Sequence, residues 1–314
     1  MRKNKLIIGS RGSELALWQA KFVKKELEQK NKNLSVEIKI INTKGDKILD
    51  VALSKIGDKG LFTKELENEL LKGSIDIAVH SLKDLQTELP KGLILAAVSK
   101  RHPVHDVLIA RKKGIRLKDL PQGATVATGS LRRRSQLLHI RPDIKIEELR
   151  GNVQTRIKKF LESEWDAIIL ARAGIERLKL NKYISSIISK GDILPAVGQG
   201  ALGIEIRKDN SFALKMLNKI HDKKTFIAVC AERALLKTLE GGCQVPIGAY
   251  AKVKSNELLL DAVVGSVDGS IAFRGKIKGS SKFPEKLGKK LANQLIKAGA
   301  SEILNDIYSK ERYR

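Results

Sequence analysis

The chain has 314 residues, of which 42% are hydrophobic, so it can bury a substantial core and is no disordered tail. Its formal net charge is +25, but only 4% of the residues are aromatic, which leaves few rings on which the bases of a nucleic acid would stack. Two cysteines are too few for a disulfide framework, and no apolar run suits a signal peptide or the roughly 20 residues of a membrane span, so we expect a cytoplasmic protein.

Short apolar runs alternate with longer amphipathic runs in the first third of the chain. The short runs predict strands at 6–8, 36–40, 75–79 and 93–98. Apolar residues at helical spacing predict helices at about 15–27 and 64–71. Alternation of this kind predicts an α/β domain whose sheet is covered on both faces.

The same pattern restarts after the polar, proline-containing stretch Lys100–Asp106. It predicts strands at 125–127, 144–147 and 167–170 and helices at 131–139 and 153–161, and therefore a second α/β domain. A Gly-Ser pair stands between a strand and a helix in both domains, at Gly9 and at Gly129. This similarity between the two predicted domains is too short to establish that they arose by duplication.

The last third of the chain has a different pattern. We expect Thr225 to cap a helix that runs to Glu240 and ends at Gly241-Gly242. Alternating runs then predict strands at 248–253, 258–264 and 271–277, followed by an amphipathic helix around 287–295. These elements predict a small α+β domain with an antiparallel sheet.

Three domains follow from these patterns. We expect the first to contain residues 1–99 and 200–219, the second 105–194 and the third 222–314. The loop Leu194–Gly203 would return the chain to the first domain.

Two motifs that suggest ligand binding are rejected. Residues Gly198–Gly203 spell G-x-G-x-x-G, but a strand rather than a helix follows them, so they do not fit a dinucleotide fingerprint. His102 and His105 have no cysteine partner, and we expect a surface loop there and no metal site.

The two cysteines have different surroundings. Cys230 lies among apolar residues on a predicted helix, which favours an inert buried thiol. Cys243 lies on a loop between Gly242 and Pro246, where solvent reaches it and a nearby cation would lower its pKa. A loop cysteine on its own is more often incidental than catalytic.

Charged residues cluster where predicted strands end. Asp84 follows the strand at 75–79, and ligands of open α/β sheets bind at this edge; the alternative, of equal weight, is that Asp84 caps a helix. Arginines follow strands in pairs, at Arg132 with Arg133 and at Arg150 with Arg156, and Arg11 follows the first strand. Helix N-terminal amides and guanidinium groups both favour carboxylate or phosphate, so these turns predict an anionic ligand with several negative groups.

Seven segments, in order, resemble those of the porphobilinogen deaminase (hydroxymethylbilane synthase) family over nearly the whole chain. They are 9–16, 60–67, 78–84, 130–133, 149–153, 195–203 and 239–249. The resemblance implies two periplasmic-binding-protein-like α/β domains flanking a cleft, and a small C-terminal α+β domain with an antiparallel sheet. It also implies a transferase that joins four porphobilinogen molecules head to tail with loss of ammonia and releases hydroxymethylbilane by hydrolysis.

The resemblance further implies a dipyrromethane cofactor that is joined by a thioether to Cys243. Only a deprotonated thiol would form that bond. Asp84 is implied as the catalytic carboxylate, which would accept pyrrole N–H groups, stabilise the positive charge that develops on them, and carry protons between steps.

The remaining implied site residues pair with the acetate and propionate groups of the pyrroles or lie beside them. Carried onto this sequence they are Arg11, Ser13, Gln19, Ser81, Lys83, Thr128, Ser130, Arg132, Arg133, Arg150, Arg156, Arg177 and Gln199. Lys59 and Phe62 belong to a stretch, 56–62, that we expect to form a lid together with the preceding Lys55, since Gly57 and Gly60 allow the backbone to move.

Four positions depart from the family pattern. Asp58, Gln86 and Gly129 stand where glycine, proline and serine are common, and Arg134 often corresponds to an uncharged residue. The departures at Asp58 and Gly129 bear on lid motion and on cofactor contacts.

Partners follow from the same resemblance. We expect porphobilinogen and the growing linear oligopyrrole as ligands, a monomeric enzyme, and neither nucleic acid nor membrane as a partner. The alternative is a two-lobed small-anion binding protein without catalysis, which the third domain and the Cys243 loop count against.

Overall fold

The structure is a computed structural model that describes residues 4–47, 60–239 and 245–312. The described chain divides into two compact units. The first contains residues 4–47, 60–102 and 200–226, and the second contains 103–199, 227–239 and 245–312. The division into three domains with the limits given above stays a prediction.

The elements within the described residues are numbered in chain order. The strands are β1 (Lys5–Ser10), β2 (Ser35–Ile40), β3 (Ile77–Ser81), β4 (Leu93–Val98), β5 (Asp106–Ala110), β6 (Thr125–Ala127), β7 (Lys145–Glu147), β8 (Ala167–Ala171), β9 (Ser186–Ile187), β10 (Leu202–Arg207), β11 (Ile247–Lys254), β12 (Glu257–Gly265) and β13 (Ala272–Ser280). The α-helices are α1 (Glu14–Lys30), α2 (Lys44–Lys47), α3 (Lys64–Leu71), α4 (Leu131–Ile140), α5 (Val153–Glu162), α6 (Arg172–Arg177), α7 (Ser211–Leu217), α8 (Lys223–Thr238), α9 (Pro284–Leu295) and α10 (Ser301–Arg312).

The first unit is built on a five-stranded sheet with the order β2-β1-β3-β10-β4. Strands β1, β2 and β3 are parallel, and β10 runs antiparallel to both of its neighbours. Helix α1 buries Ala20, Val23 and Leu27 against one face, and α3 packs Leu66 and Leu70 into a second apolar cluster. The predicted α/β sheet is therefore confirmed, with apolar side chains on both faces as buried parallel strands require.

The second unit repeats this topology in the sheet β7-β6-β8-β5-β9, where β5 is the antiparallel strand. One backbone contact recurs at the same place. The Ile7 amide donates to Asp76 Oδ2 over 2.8 Å in the first unit, and the Thr125 amide donates to Asp166 Oδ2 over 2.8 Å in the second. The two sheets can therefore be compared residue by residue through their strand registers.

The C-terminal part of the second unit contains the predicted antiparallel sheet, with the order β11-β12-β13. Its core includes Leu258, Leu260 and Leu291, from β12 and α9. The α+β prediction is confirmed because every second residue of β12 from Leu258 to Val264 is buried in the same apolar cluster as α9.

One predicted helix start is wrong. Helix α8 begins at Lys223, and the Thr225 amide donates to Asp222 Oδ1 over 2.7 Å, so the carboxylate of Asp222 caps the helix in place of the Thr225 hydroxyl. The predicted end at Gly241-Gly242 lies outside the described residues. Across the described ranges no helix combines the length and apolarity needed to cross a membrane.

Candidate functional site

In the first unit, the turn from β1 to α1 carries Arg11 and Ser13. The Ser13 hydroxyl accepts a hydrogen bond from the Ala16 amide at 3.4 Å and so caps α1. Arg11 is half-buried, and its guanidinium carbon lies 4.0 Å from the centroid of the Phe62 ring, a cation–π contact. The first strand end therefore presents a guanidinium that is already oriented by an aromatic ring.

The end of β3 lies beside α1. The Gln19 amide, which is buried, donates to the Ser81 hydroxyl over 2.7 Å. The next residues form a short 3-10 turn, Leu82–Asp84, in which Leu82 is buried, Lys83 is half-buried and Asp84 is exposed. The Asp84 carboxylate thus reaches solvent one turn beyond the carboxyl end of a central strand, as the sequence predicts for a ligand-binding residue.

Phe62 belongs to the short segment that leads into α3. Gly60 has a φ of +94°, a conformation that favours glycine, and a Cβ at this position would lie 2.6 Å from Gln86 Nε2. Gln86, one of the departures from the family pattern, therefore packs against the start of this segment. Lys55, Lys59 and Asp58 lie outside the described residues.

In the second unit, two arginines follow the turn from β6 to α4. Arg132 and Arg133 are both only 4% exposed, and their Nη1 groups donate to Leu194 O at 2.7 Å and to Ile169 O at 3.0 Å. The sequence places them at a helix N-terminus but does not predict that both are buried.

A carboxylate that the sequence analysis missed pairs with both of these arginines. Asp106, the first residue of β5, is buried, with Oδ2 at 2.9 Å from Arg132 Nη2 and Oδ1 at 2.8 Å from Arg133 Nη2. Burial alone would raise the pKa of the Asp106 carboxyl, but the charges of Arg132 and Arg133 outweigh it and hold the pKa below its ordinary range. Burial also lowers the pKa of Arg132, and Asp106 opposes that effect, so the guanidinium stays charged.

Polar groups surround this ion cluster. The Ser130 amide donates to the Thr128 hydroxyl at 3.3 Å, and the Ser130 hydroxyl makes no capping bond to α4. The Gln199 amide donates to Val104 O at 2.7 Å and to Asp106 Oδ1 at 3.0 Å. Three predicted site residues, Arg132, Arg133 and Gln199, therefore meet at one carboxylate.

The other predicted arginines of this unit occupy three different surroundings. Arg156 is half-buried and donates from Nε to Gly151 O at 2.8 Å. Arg150 is half-buried, and burial lowers its pKa while Glu148 raises it. Arg177 is 5% exposed, and burial lowers its pKa to about 10.

The departure at Gly129 has a structural reason. A Cβ on this residue would lie 2.7 Å from Leu149 O and 2.9 Å from a carboxylate oxygen of Glu148. A serine here would therefore displace the backbone next to Arg150.

Cys243, the predicted cofactor attachment site, lies outside the described residues. Cys230 is described and half-buried, and burial raises the pKa of its thiol to about 11. A thiol with this pKa is almost entirely protonated at neutral pH and is a poor nucleophile, as the sequence predicts for Cys230.

The first unit also contains a buried cluster of ionisable groups that is not among the predicted site residues. His80 Nε2 on β3 lies 3.1 Å from Glu205 Oε2 on β10, and both side chains are almost fully buried. Glu67 on α3 is also buried, and burial raises the pKa of its carboxyl, an effect to which Glu205 adds. No local pattern would have found this cluster, because its members are up to 138 positions apart in the chain.

A second missed carboxylate joins separate segments of the second unit. Glu232 on α8 is fully buried, and it accepts hydrogen bonds from the Gly198 amide at 2.8 Å and the Ala251 amide at 2.7 Å. It thereby fixes the loop that carries Gln199 to β11 and to α8.

The arginines of the second unit fit a ligand that carries carboxylates. Among the described residues, buried guanidinium nitrogens without a hydrogen-bond partner include Arg132 Nε, Arg133 Nε, Arg134 Nε and Arg150 Nη1. A buried donor without a partner is costly, and a carboxylate accepts such donors well. The acetate and propionate groups of a dipyrromethane would supply acceptors of this kind.

Comparison with known proteins agrees with these features. The sequence matches the family description "Porphobilinogen deaminase, dipyromethane cofactor binding domain" over residues 6–215 and "Porphobilinogen deaminase, C-terminal domain" over 226–297. The chain is 50% identical over 309 residues to a porphobilinogen deaminase of Chloroherpeton thalassium, with 97% of this chain and 98% of that protein covered. It is also 50% identical over 309 residues to a porphobilinogen deaminase of Desulforamulus reducens, with 98% and 100% covered.

Solved structures resemble the chain more distantly. The periplasmic VFT2 domain of Bordetella pertussis BvgS aligns with a TM-score of 0.42 and 14% identity, covering 69% of this chain and 87% of that domain. An ancestral arginine-binding protein aligns with a TM-score of 0.36 and 16% identity, covering 70% and 91%. The fold is defined by the strand orders and registers of the two five-stranded sheets.

Proposed function

Because the chain belongs to the porphobilinogen deaminase family, we propose that the polar groups at its strand ends carry out that family's reaction. The enzyme is a transferase of tetrapyrrole biosynthesis. It joins four porphobilinogen molecules head to tail, with loss of ammonia at each addition, and releases hydroxymethylbilane by hydrolysis. When bound, its dipyrromethane cofactor supplies the primer on which the chain is built.

The buried guanidinium groups at the start of α4 carry the proposal for binding. Arg132 and Arg133 are almost fully buried and keep Nε donors without a partner among the described residues. Every pyrrole of the growing chain brings an acetate and a propionate, so an anionic ligand supplies acceptors that these donors lack. Arg11, Arg150, Arg156 and Arg177 are proposed to pair further carboxylates of the cofactor and product.

Asp84 is proposed to be the catalytic carboxylate. It is exposed at the carboxyl end of β3, so substrate can reach it without movement of the sheet. Loss of ammonia leaves positive charge on a pyrrole nitrogen, and a fixed carboxylate that accepts the N–H stabilises that charge and accepts or returns a proton. Lys83 precedes it in the same turn, where its charge can pair with a substrate carboxylate.

The neutral site residues are proposed to orient these charged groups. Gln19 and Ser81 are already hydrogen bonded to each other, and Ser13 caps the helix that follows Arg11. Thr128, Ser130 and Gln199 surround the arginine pair. Lys55, Lys59 and Phe62 are proposed to belong to the lid, and the enzyme is proposed to work as a cytoplasmic monomer.

Cys243 is proposed to hold the cofactor through a thioether. The thiolate is the reactive form of cysteine. Burial raises the pKa of the Cys230 thiol to about 11, so Cys230 is disfavoured as the attachment site. In the sequence, Cys243 is flanked by Gly241, Gly242 and Pro246, residue types that disfavour a regular helix.

The test is the intact mass of protein produced in cells that make porphobilinogen. We expect a covalent dipyrrole adduct on the wild type and on Cys230→Ala, the matched control, and no adduct on Cys243→Ala. Absence of the adduct and of turnover in the wild type would refute the proposed function. An adduct on Cys243→Ala would refute the assignment of the cysteine alone.

A further inference from the structure

We infer that Asp106 is a positioning residue that holds Arg132, Arg133 and Gln199 in the arrangement in which they bind the anionic pyrrole chain. The inference rests on the proposed function, because these three residues are the ones proposed to contact cofactor and product. Asp106 itself is not assigned a contact with either.

The contacts of Asp106 are made with both of its carboxylate oxygens. Oδ2 lies 2.9 Å from Arg132 Nη2, while Oδ1 lies 2.8 Å from Arg133 Nη2 and accepts from Gln199 Nε2 at 3.0 Å. The Nη1 groups of the two arginines are fixed by Leu194 O and Ile169 O. Each guanidinium is therefore held on one side, and its Nε is left without a partner among the described residues.

The charges of this cluster do not cancel. Two guanidinium groups face one carboxylate, and all three side chains are at least 95% buried. Without Asp106, two like charges would lie side by side in a poorly solvated place and would repel each other. With it, one positive charge remains uncompensated, which suits a ligand that brings a further carboxylate.

The first unit shows that the fold itself does not need this cluster. By strand register, Asp106 of β5 corresponds to Leu202 of β10, since Asp106 pairs with Ala171 and Leu202 pairs with Ser81 at the same end of the two sheets. Counted from the residues that precede each helix, Ser130 and Ser13, the first unit has Leu15 and Ala16 at the positions of Arg132 and Arg133.

Equivalent positions thus carry apolar side chains in one unit, where Leu202 is buried and Leu15 and Ala16 are half-buried, and a buried ion cluster in the other. Buried ions are expensive to desolvate, and a hydrophobic set of similar volume is often at least as stable. A purely structural role would therefore be served by the apolar set, whereas binding of an anion requires the arginines and a residue that positions them.

The experiment compares Asp106→Asn and Asp106→Glu with the wild type. The control is Asp166→Asn, which removes a carboxylate beside the same sheet that accepts a backbone amide and has no arginine partner within the described part of the chain. For each protein, the folded fraction is isolated, its thermal midpoint is measured, its cofactor content is determined by intact mass, and KM and kcat are measured on the loaded part.

We expect folded Asp106→Asn to carry little cofactor and the loaded part to lose about 100-fold in kcat/KM, mainly through KM, because displaced binding groups cost about this much. Asp106→Glu, which keeps the charge but moves it, should restore part of the cofactor content. Asp166→Asn should lower the thermal midpoint and leave cofactor content and KM unchanged.

Normal cofactor content and KM in folded Asp106→Asn would overturn the inference while leaving the proposed function intact, provided that the wild type is loaded and active. If Asp106→Asn does not fold, Asp106→Glu decides, because wild-type loading and KM in that variant would show that the position of the carboxylate does not matter. An unloaded, inactive wild type would instead refute the proposed function.

Discussion

The two α/β sheets have the same strand order and corresponding registers, yet they place their charged groups differently. The first sheet ends in the exposed Asp84 and the half-buried Arg11. The second sheet ends in Arg132, Arg133 and Asp106, all of them buried. The reactive carboxylate we propose is thus open to substrate, while the proposed carboxylate-binding groups are enclosed and fixed before any ligand arrives.

Further from the strand ends, it is the first sheet that contains buried polar residues and the second that contains apolar ones. His80 and Glu205 of the first sheet correspond by register to Leu170 and Ile109 of the second, which are buried apolar residues. Each sheet therefore carries one buried polar cluster, at a different depth. Backbone topology thus determines where the strands end, whereas the side chains at each end determine which functional groups lie there.

Loss of the exposed carboxylate should have the largest effect on activity. We expect Asp84→Asn to fold and load cofactor but to lose turnover by about 10²- to 10⁴-fold, because a positioned proton-transferring group contributes this much. The measurement is kcat on loaded protein, with Asp76→Asn as the control, since Asp76 accepts the Ile7 amide in the same sheet. Near-normal kcat in Asp84→Asn would remove the functional distinction between the two sheets.

A triple variant would give the second sheet the side chains of the first. Asp106→Leu, Arg132→Leu and Arg133→Ala together replace the ion cluster with the residues found at Leu202, Leu15 and Ala16. We expect a folded protein whose free energy of unfolding is unchanged or raised by about 1–4 kcal/mol, since apolar replacement of buried ions has this effect. The same protein should not retain the cofactor.

Urea unfolding and intact mass test the two parts of this prediction separately. An unfolded triple variant would show that the second sheet depends on its ions for stability, contrary to the comparison. A folded variant with normal cofactor content would show that the arginines are dispensable for binding.

The buried Glu67 should have the smallest effect, visible as a dependence of stability on pH. Burial raises its folded-state pKa above the ordinary 4.5, so the folded chain binds the proton more tightly than the unfolded chain. The stability gained from this proton is fully present below pH 4.5 and is lost as the pH rises to the folded-state pKa, at about 1.4 kcal/mol per pH unit.

Glu67→Gln should therefore flatten the fall in stability above pH 4.5 and stabilise the protein at pH 7. The measurement is urea unfolding between pH 4 and pH 8, with the exposed Glu164→Gln as the control. An unchanged pH profile in Glu67→Gln would mean that this carboxyl does not titrate differently in the folded chain.

Much of the fold was predictable because its elements have clear periodicity. The predicted strands at 93–98 and 125–127 match β4 and β6, and the predicted helix at 64–71 matches α3. The alternating runs after residue 247 predict the antiparallel sheet for the same reason. Residues at strand ends such as Arg11, Ser81 and Asp84 were found because the end of an apolar run marks the edge of a sheet.

The residues that were missed act through partners distant in the chain. Asp106 was assigned to a polar stretch, and nothing local indicates that it begins β5 or that two arginines of α4 pair with it. Glu205 falls in a predicted strand, but its contact with His80 spans 125 positions. The helix start at Lys223 differs from the prediction because both Asp222 and Thr225 are residue types that cap helices, and the sequence does not distinguish between them.

Glu232 joins three segments of the second unit through one carboxylate: the loop at Gly198, strand β11 at Ala251 and its own helix α8. Helix α8 leads directly to the residues that precede Cys243, and Gln199 follows Gly198. The proposed cofactor attachment residue, Cys243, and Gln199 thus both follow, in the sequence, segments that Glu232 joins. We expect the residues that move to make room for each added pyrrole ring to lie outside the segments that Glu232 joins.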